Sequence, residues 1–100
     1  MGRGGTITVD ASGVVNTSGK PQRVYGLTIT SNATAGGIVT LRNGSGATDT
    51  IFMTPQGKIS DTTLITGFPA EGMYFPAGLY VSIGTNVTVA YIQVEQVSTT

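Results

Sequence analysis

Apolar and polar side chains alternate at period two along most of this chain, in runs built from Val, Ile, Thr and Tyr. That spacing puts successive side chains on opposite faces of an extended strand, whereas an amphipathic helix needs apolar positions three and four apart. In residues 6–10, Ile7 and Val9 share one face and threonines the other. Residues 22–31 place Tyr25, Leu27 and Ile29 inward against Gly26, Thr28 and Thr30. Val39 and Leu41 face in while Thr40 and Arg42 face out, and Leu79, Val81 and Ile83 alternate with Tyr80 and Ser82. The chain is predicted to be all-β.

Turn residues punctuate the pattern. Ser12-Gly13 ends the first strand, residues 32–37 turn the chain, and Asn43-Gly44 supplies the positive φ angles of a tight turn. A third strand over residues 49–54 stops at Pro55, which cannot donate to a ladder, so residues 22–54 read as a three-stranded meander. Leu64 and Ile65 are adjacent, no period wins there, and residues 59–67 read as a loop with a short strand. The last and longest strand, residues 87–97, has Val87, Val89 and Tyr91 on one face and Ala90, Ile92 and Val94 on the other. It is either a central strand with a bulge or a strand whose outer face packs on another subunit. Seven or eight short strands at this turn spacing predict an antiparallel two-sheet β-sandwich, jelly-roll-like. Residues 1–8 form an N-terminal arm and first strand, and residues 9–100 the single sandwich domain.

Composition narrows the function. The 100 residues contain no His, Cys or Trp, and five Lys plus Arg balance five Asp plus Glu. A basic excess suited to nucleic acid is missing, and so is an apolar run approaching the ~20 residues of a membrane span. With no apolar signal segment behind Met1, the protein is expected to be made in the cytoplasm. Without cysteine there are neither disulfides nor thiolate metal ligands. The possible bases, Asp10, Asp49, Asp61, Glu71, Glu95, Lys20 and Lys58, are isolated along the chain. No nucleophile and base pair, calcium-type loop or cofactor motif emerges, so a non-enzyme without metal or cofactor is expected. All four asparagines fall in glycosylation sequons, yet in so threonine-rich a chain they read as turn residues.

Contact is then the expected mode of action. Residues 68–80 hold four of the seven aromatics, and Phe68 and Phe75 turned inward with Tyr74 and Tyr80 outward would serve core and interface together. The arm residues Gly2, Arg3, Gly4, Gly5 and Thr6 are expected to dock on a neighbouring chain, main-chain groups adding to an exposed sheet edge and Arg3 meeting an acidic group. Phe68, Tyr74, Tyr80, Ile92 and Val94 complete the candidate protein interface. A sugar stacked on Tyr74 or Tyr80 is the alternative use of the aromatics.

The runs Val24-Tyr-Gly-Leu-Thr-Ile-Thr-Ser31, Gly37-Ile-Val-Thr-Leu-Arg-Asn-Gly44, Gly78-Leu-Tyr-Val-Ser-Ile-Gly84 and Val87-Thr-Val-Ala-Tyr-Ile92 resemble small virion proteins of tailed bacteriophages, marine and cyanobacterial phages above all. The similarity spans roughly residues 22–95 and rests on strand and turn patterns. It implies an all-β structural protein of the virion, a decoration or cement subunit that binds the outer shell and stabilises contacts between copies of the major capsid protein. Homo-oligomers, trimers among them, belong to that expectation. A tail or fibre structural part, or a receptor-binding module that recognises carbohydrate, is the alternative the same resemblance implies.

Overall fold

A computed structural model describes residues 3–10 and 13–96. Among them run nine strands: β1 (Arg3–Asp10), β2 (Val14–Asn16), β3 (Gln22–Ser31), β4 (Val39–Asn43), β5 (Thr50–Met53), β6 (Thr62–Ile65), β7 (Met73–Phe75), β8 (Leu79–Ile83) and β9 (Val87–Gln96). They pair antiparallel in two sheets, as the alternation predicts. One has the order β1-β9-β3-β6, with β7 also on β3; the other has the order β2-β8-β4-β5. The result is a β-sandwich. The three-residue strands β2 and β7 raise the count above the seven or eight expected, being too short to show a period.

β9 is the spine of the five-stranded sheet. It pairs with β1 from Arg3–Gln96 to Asp10–Val89 without a shift of register, and with the whole of β3 on its other side. The remaining edge of β3 is shared, β7 taking Gln22–Val24 and β6 taking Leu27–Thr30. Val9, Val24, Leu27, Ile29, Phe75, Val87, Ala90 and Ile92 of this sheet are almost fully buried, as are Val39, Leu41, Leu79 and Val81 of the other. Burying each such aliphatic side chain contributes about 1.5–3 kcal/mol against chain entropy. The Phe52 ring leans on Phe75 with centroids 5.1 Å apart and closes one flank.

Two bulges change which side chains face in. Val24 pairs with Val94 and Gly26 with Gln93, so Tyr25 is the extra residue on β3. The bulge lets Val24, Leu27 and Ile29 all reach the core and turns Tyr25 outward, correcting the expectation that Tyr25 points in. In β9, Thr30 faces Val89 and Ser31 faces Val87, which leaves Thr88 as the extra residue. Val87 thereby joins Ala90, Ile92 and Val94 on the inner face. The last strand is a central strand with a bulge.

The predicted meander does not form. β3 and β4 lie in different sheets, and only the β4–β5 part is a hairpin. Between them, Asn32 Oδ1 accepts the Thr34 and Ala35 N–H groups and Ser31 Oγ accepts the Gly37 N–H at 2.9 Å, which carries the chain across. A seven-residue connection with turn residues fits a hairpin and a crossing equally well, and alternation within the strands cannot tell them apart. Nor is Asn43-Gly44 a two-residue turn. The loop runs to Asp49, whose Oδ2 accepts the Ser45 and Gly46 N–H groups at 2.8 and 2.9 Å.

Candidate interaction face

The outer surface of the five-stranded sheet gathers the side chains that the core leaves over. Cross-strand neighbours share a face, so the pairings can be read as rows. One row runs Thr8, Tyr91, Thr28, Leu64; the next runs Asp10, Val89, Thr30, Thr62. Toward the other end, Glu95, Arg23 and Tyr74 lie side by side, with Thr6, Gln93 and Gly26 between. Leu64 is 67% exposed, and Tyr25, Tyr74 and Tyr91 are each about two-fifths exposed. Large apolar or aromatic groups set among threonines, with few charges, are the composition of a contact surface more than of a solvated one.

The polar groups on this face are arranged around the aromatics. The Tyr25 hydroxyl donates to Glu95 Oε1 at 2.8 Å, and the Arg23 guanidinium stands 4.7 Å over the centroid of the Tyr74 ring. The hydrogen bond to Glu95, with some loss of hydration and the nearby carboxylate charge, holds the Tyr25 proton above the ordinary tyrosine range. The Gln93 side chain lies across Gly26, where a Cβ would come 2.8 Å from Oε1, so any larger residue there would displace the Gln93 amide. A shallow depression of about 300 Å³ is bordered by Gly5, Thr6, Tyr25, Gln93, Val94 and Glu95.

The expected interface residues do not come together as one patch. Gly2 lies outside the described residues. Arg3, Gly4, Gly5 and Thr6 belong to β1 and pair with β9 of their own chain, so this segment is an edge strand of its own sheet and not an arm leaving the fold. Gly5 and Thr6 are exposed, and the outer edge of β1 has no partner strand among the described residues. Phe68 is half-buried and packs against the core, Phe75 is buried and Tyr74 is exposed, as the aromatic segment led one to expect. Tyr80 sits on the other sheet, opposite Asn16 and Arg42, so it shares no surface with Tyr74. Ile92 and Val94 face the core, 0% and 9% exposed, because the β9 bulge directs them inward; they are unavailable for contact.

Sequence reasoning missed Tyr25, Arg23, Gln93, Glu95 and Leu64. The Leu64-Ile65 adjacency was a visible signal for Leu64 alone, since two large residues in succession must face opposite ways on a strand. Asp49 and Asp61 are both occupied locally, Asp61 Oδ1 accepting the Thr62 N–H at 2.8 Å. Among the described residues no group of three or more His, Cys, Asp or Glu is placed to hold a metal ion.

No family model and no curated protein matches this chain. A solved structure does: a protein of Bacillus endospore appendages, which are described as a novel family of disulfide-linked pili, superposes with a TM-score of 0.53 at 12% identity. The match covers 98% of this chain and 88% of that one. At such identity the likeness is one of fold, a β-sandwich followed from end to end.

Proposed function

We propose that this chain is a structural protein of a tailed-phage virion, a decoration or cement subunit that binds the outside of the shell and bridges neighbouring copies of the major capsid protein. The observation that carries the reading is the outer face of the five-stranded sheet, where Leu64, Tyr25, Tyr74 and Tyr91 stand exposed among threonines. The virion setting comes from the resemblance of the strand and turn runs; the contact mode comes from the face. The proposed role is non-catalytic and its mechanism thermodynamic. A subunit that binds only the assembled lattice stabilises it by mass action, and many copies multiply the effect. The appendage proteins of like fold are described as disulfide-linked, and a chain without cysteine cannot be linked in that way.

Cosedimentation with tailed-phage shells lacking the protein tests this. Saturable binding with raised particle survival on heating is expected. Absence of binding at saturating protein would overturn the shell role. The depression beside Tyr25, with Gln93 and Glu95 at its border, favours a second reading, a receptor-binding module for carbohydrate. A glycan array on which the protein stays silent at high concentration removes that reading.

A further inference from the structure

We infer that Asn43-Gly44 is a latent modification site, a succinimide-forming pair that the folded chain keeps unreactive by holding both reacting groups at one corner of the four-stranded sheet. Of the four asparagines, Asn43 is the one followed by glycine. With no Cβ to screen the next main-chain nitrogen, an Asn-Gly pair in an open chain cyclises more readily than other asparagine pairs. The fold demands both residues here. Asn43 Oδ1 accepts the Ala77 N–H at 2.8 Å, which ties the end of β4 to the turn before β8. Gly44 is buried, and a Cβ on it would stand 2.6 Å from the Asp49 Cβ as well as against the Asp49 carboxylate.

In the reaction the Gly44 main-chain nitrogen gives its proton to hydroxide or water and attacks Cγ of Asn43. The Cγ–Nδ2 bond breaks, Nδ2 takes up a proton and leaves as ammonia, and a five-membered imide remains. Water then opens the imide to an aspartyl or an isoaspartyl residue. In the fold each participant is engaged. The Gly44 N–H donates to the Gly78 carbonyl at 2.9 Å, so its proton is held. The Asn43 carboxamide is fixed on Ala77, and pairing with Thr50 on one side and Leu79 on the other keeps its main chain extended, whereas ring closure must turn both. Asp49 Oδ2 fastens the Ser45 and Gly46 N–H groups, and Asn16 Nδ2 donates to the Ser45 carbonyl at 2.7 Å, so the strand end swings out only if the loop bonds break too. Reaction therefore waits for this corner to open. The isoaspartyl product adds a methylene to the main chain, shifts the end of β4 out of register with both neighbours, and turns a reversible opening into a permanent one.

Peptide mapping by mass spectrometry, on the full chain held at mildly alkaline pH in buffer and in concentrated guanidinium chloride, reads the exchange of amide for carboxyl at Asn43. Conversion in buffer is expected to be at least about tenfold slower than in denaturant, since the corner must open first. Asp49→Ala, which releases the Ser45 and Gly46 N–H groups, should speed conversion in buffer several-fold with an unchanged circular dichroism spectrum. Asn16→Ala, which frees the Ser45 carbonyl, makes the same test from β2. An Asn43 that stays intact in denaturant overturns the site itself. Conversion as fast in buffer as in denaturant overturns the protection, and wild-type rates in both variants overturn its assignment to this corner. None of these outcomes depends on shell binding, so the site and the structural role stand or fall separately.

Discussion

β1, β3 and β9 run beside one another for eight to ten residues each, whereas no strand of the four-stranded sheet exceeds five. The shorter strands are held by their loops. Asn16 Nδ2 donates to the Ser45 carbonyl at 2.7 Å, Thr17 Oγ1 accepts the Leu79 N–H at 2.7 Å, Asn43 Oδ1 accepts the Ala77 N–H at 2.8 Å, and Arg42 Nη1 donates to the Asp49 carbonyl at 2.7 Å. In the five-stranded sheet such bonds gather around β6 and the end of β3, and the hydroxyls of Thr6, Thr8 and Thr28 have no hydrogen-bond partner among the described residues. Polar residues of the same types therefore do different work. On the four-stranded sheet they close loops; on the other, the Ser31, Thr30, Thr62 and Thr63 hydroxyls are engaged, while those of Thr6, Thr8 and Thr28 stay unengaged on the outer face.

The largest effect is expected where the two sheets meet. Phe75→Ala removes a fully buried ring that also supports Phe52, and should cost about 3–5 kcal/mol in urea unfolding, destabilising both sheets together. Gly78→Ala comes next. Gly78 holds φ at 110°, and a Cβ would stand 2.9 Å from the Gly19 Cα, so about 1–3 kcal/mol should be lost in the same measurement. Thr17→Val leaves the Leu79 N–H without its acceptor and should cost about 1–2 kcal/mol. By contrast Leu64→Ser and Tyr91→Ser, on the open face, should move stability by no more than about 0.5 kcal/mol. Equal costs for Thr17→Val and Leu64→Ser would erase the distinction between the sheets.

The smallest effect concerns Tyr25. Its pKa is raised in the folded state, so its contribution to stability is complete below the ordinary tyrosine value and fades as pH rises through the folded value. Phenolate absorbance should show one tyrosine titrating late, and Glu95→Gln should bring it earlier, since the accepting carboxylate is the first cause of the shift. Four tyrosines titrating together would contradict the Tyr25–Glu95 bond.

How much of this could be read in advance depends on the range of the interaction concerned. The inward row of β8 and the core positions Val39, Leu41, Leu27 and Ile29 follow from alternation, which depends only on neighbours in sequence. The bulges at Tyr25 and Thr88 depend on register against a strand tens of residues away, and each reverses the face of the residues beyond it. Hence Tyr25 was expected inside, and Ile92 and Val94 were expected at an interface. Sheet membership of β3 and β4 is likewise set by what each packs on, and a seven-residue loop carries no record of it. The aromatic segment was legible because Phe and Tyr differ in chemistry, not in position.

The most direct test of the central claim, that the five-stranded sheet is the contact surface, is shell cosedimentation of three proteins side by side. They are the wild type, the Leu64→Ser plus Tyr91→Ser double variant, and Val14→Ser as a control at an apolar residue of the other sheet whose exposure lies between theirs. The account predicts saturable binding by the wild type and by Val14→Ser, and loss of binding by the double variant. Binding retained by the double variant, or abolished by Val14→Ser alone, would contradict it.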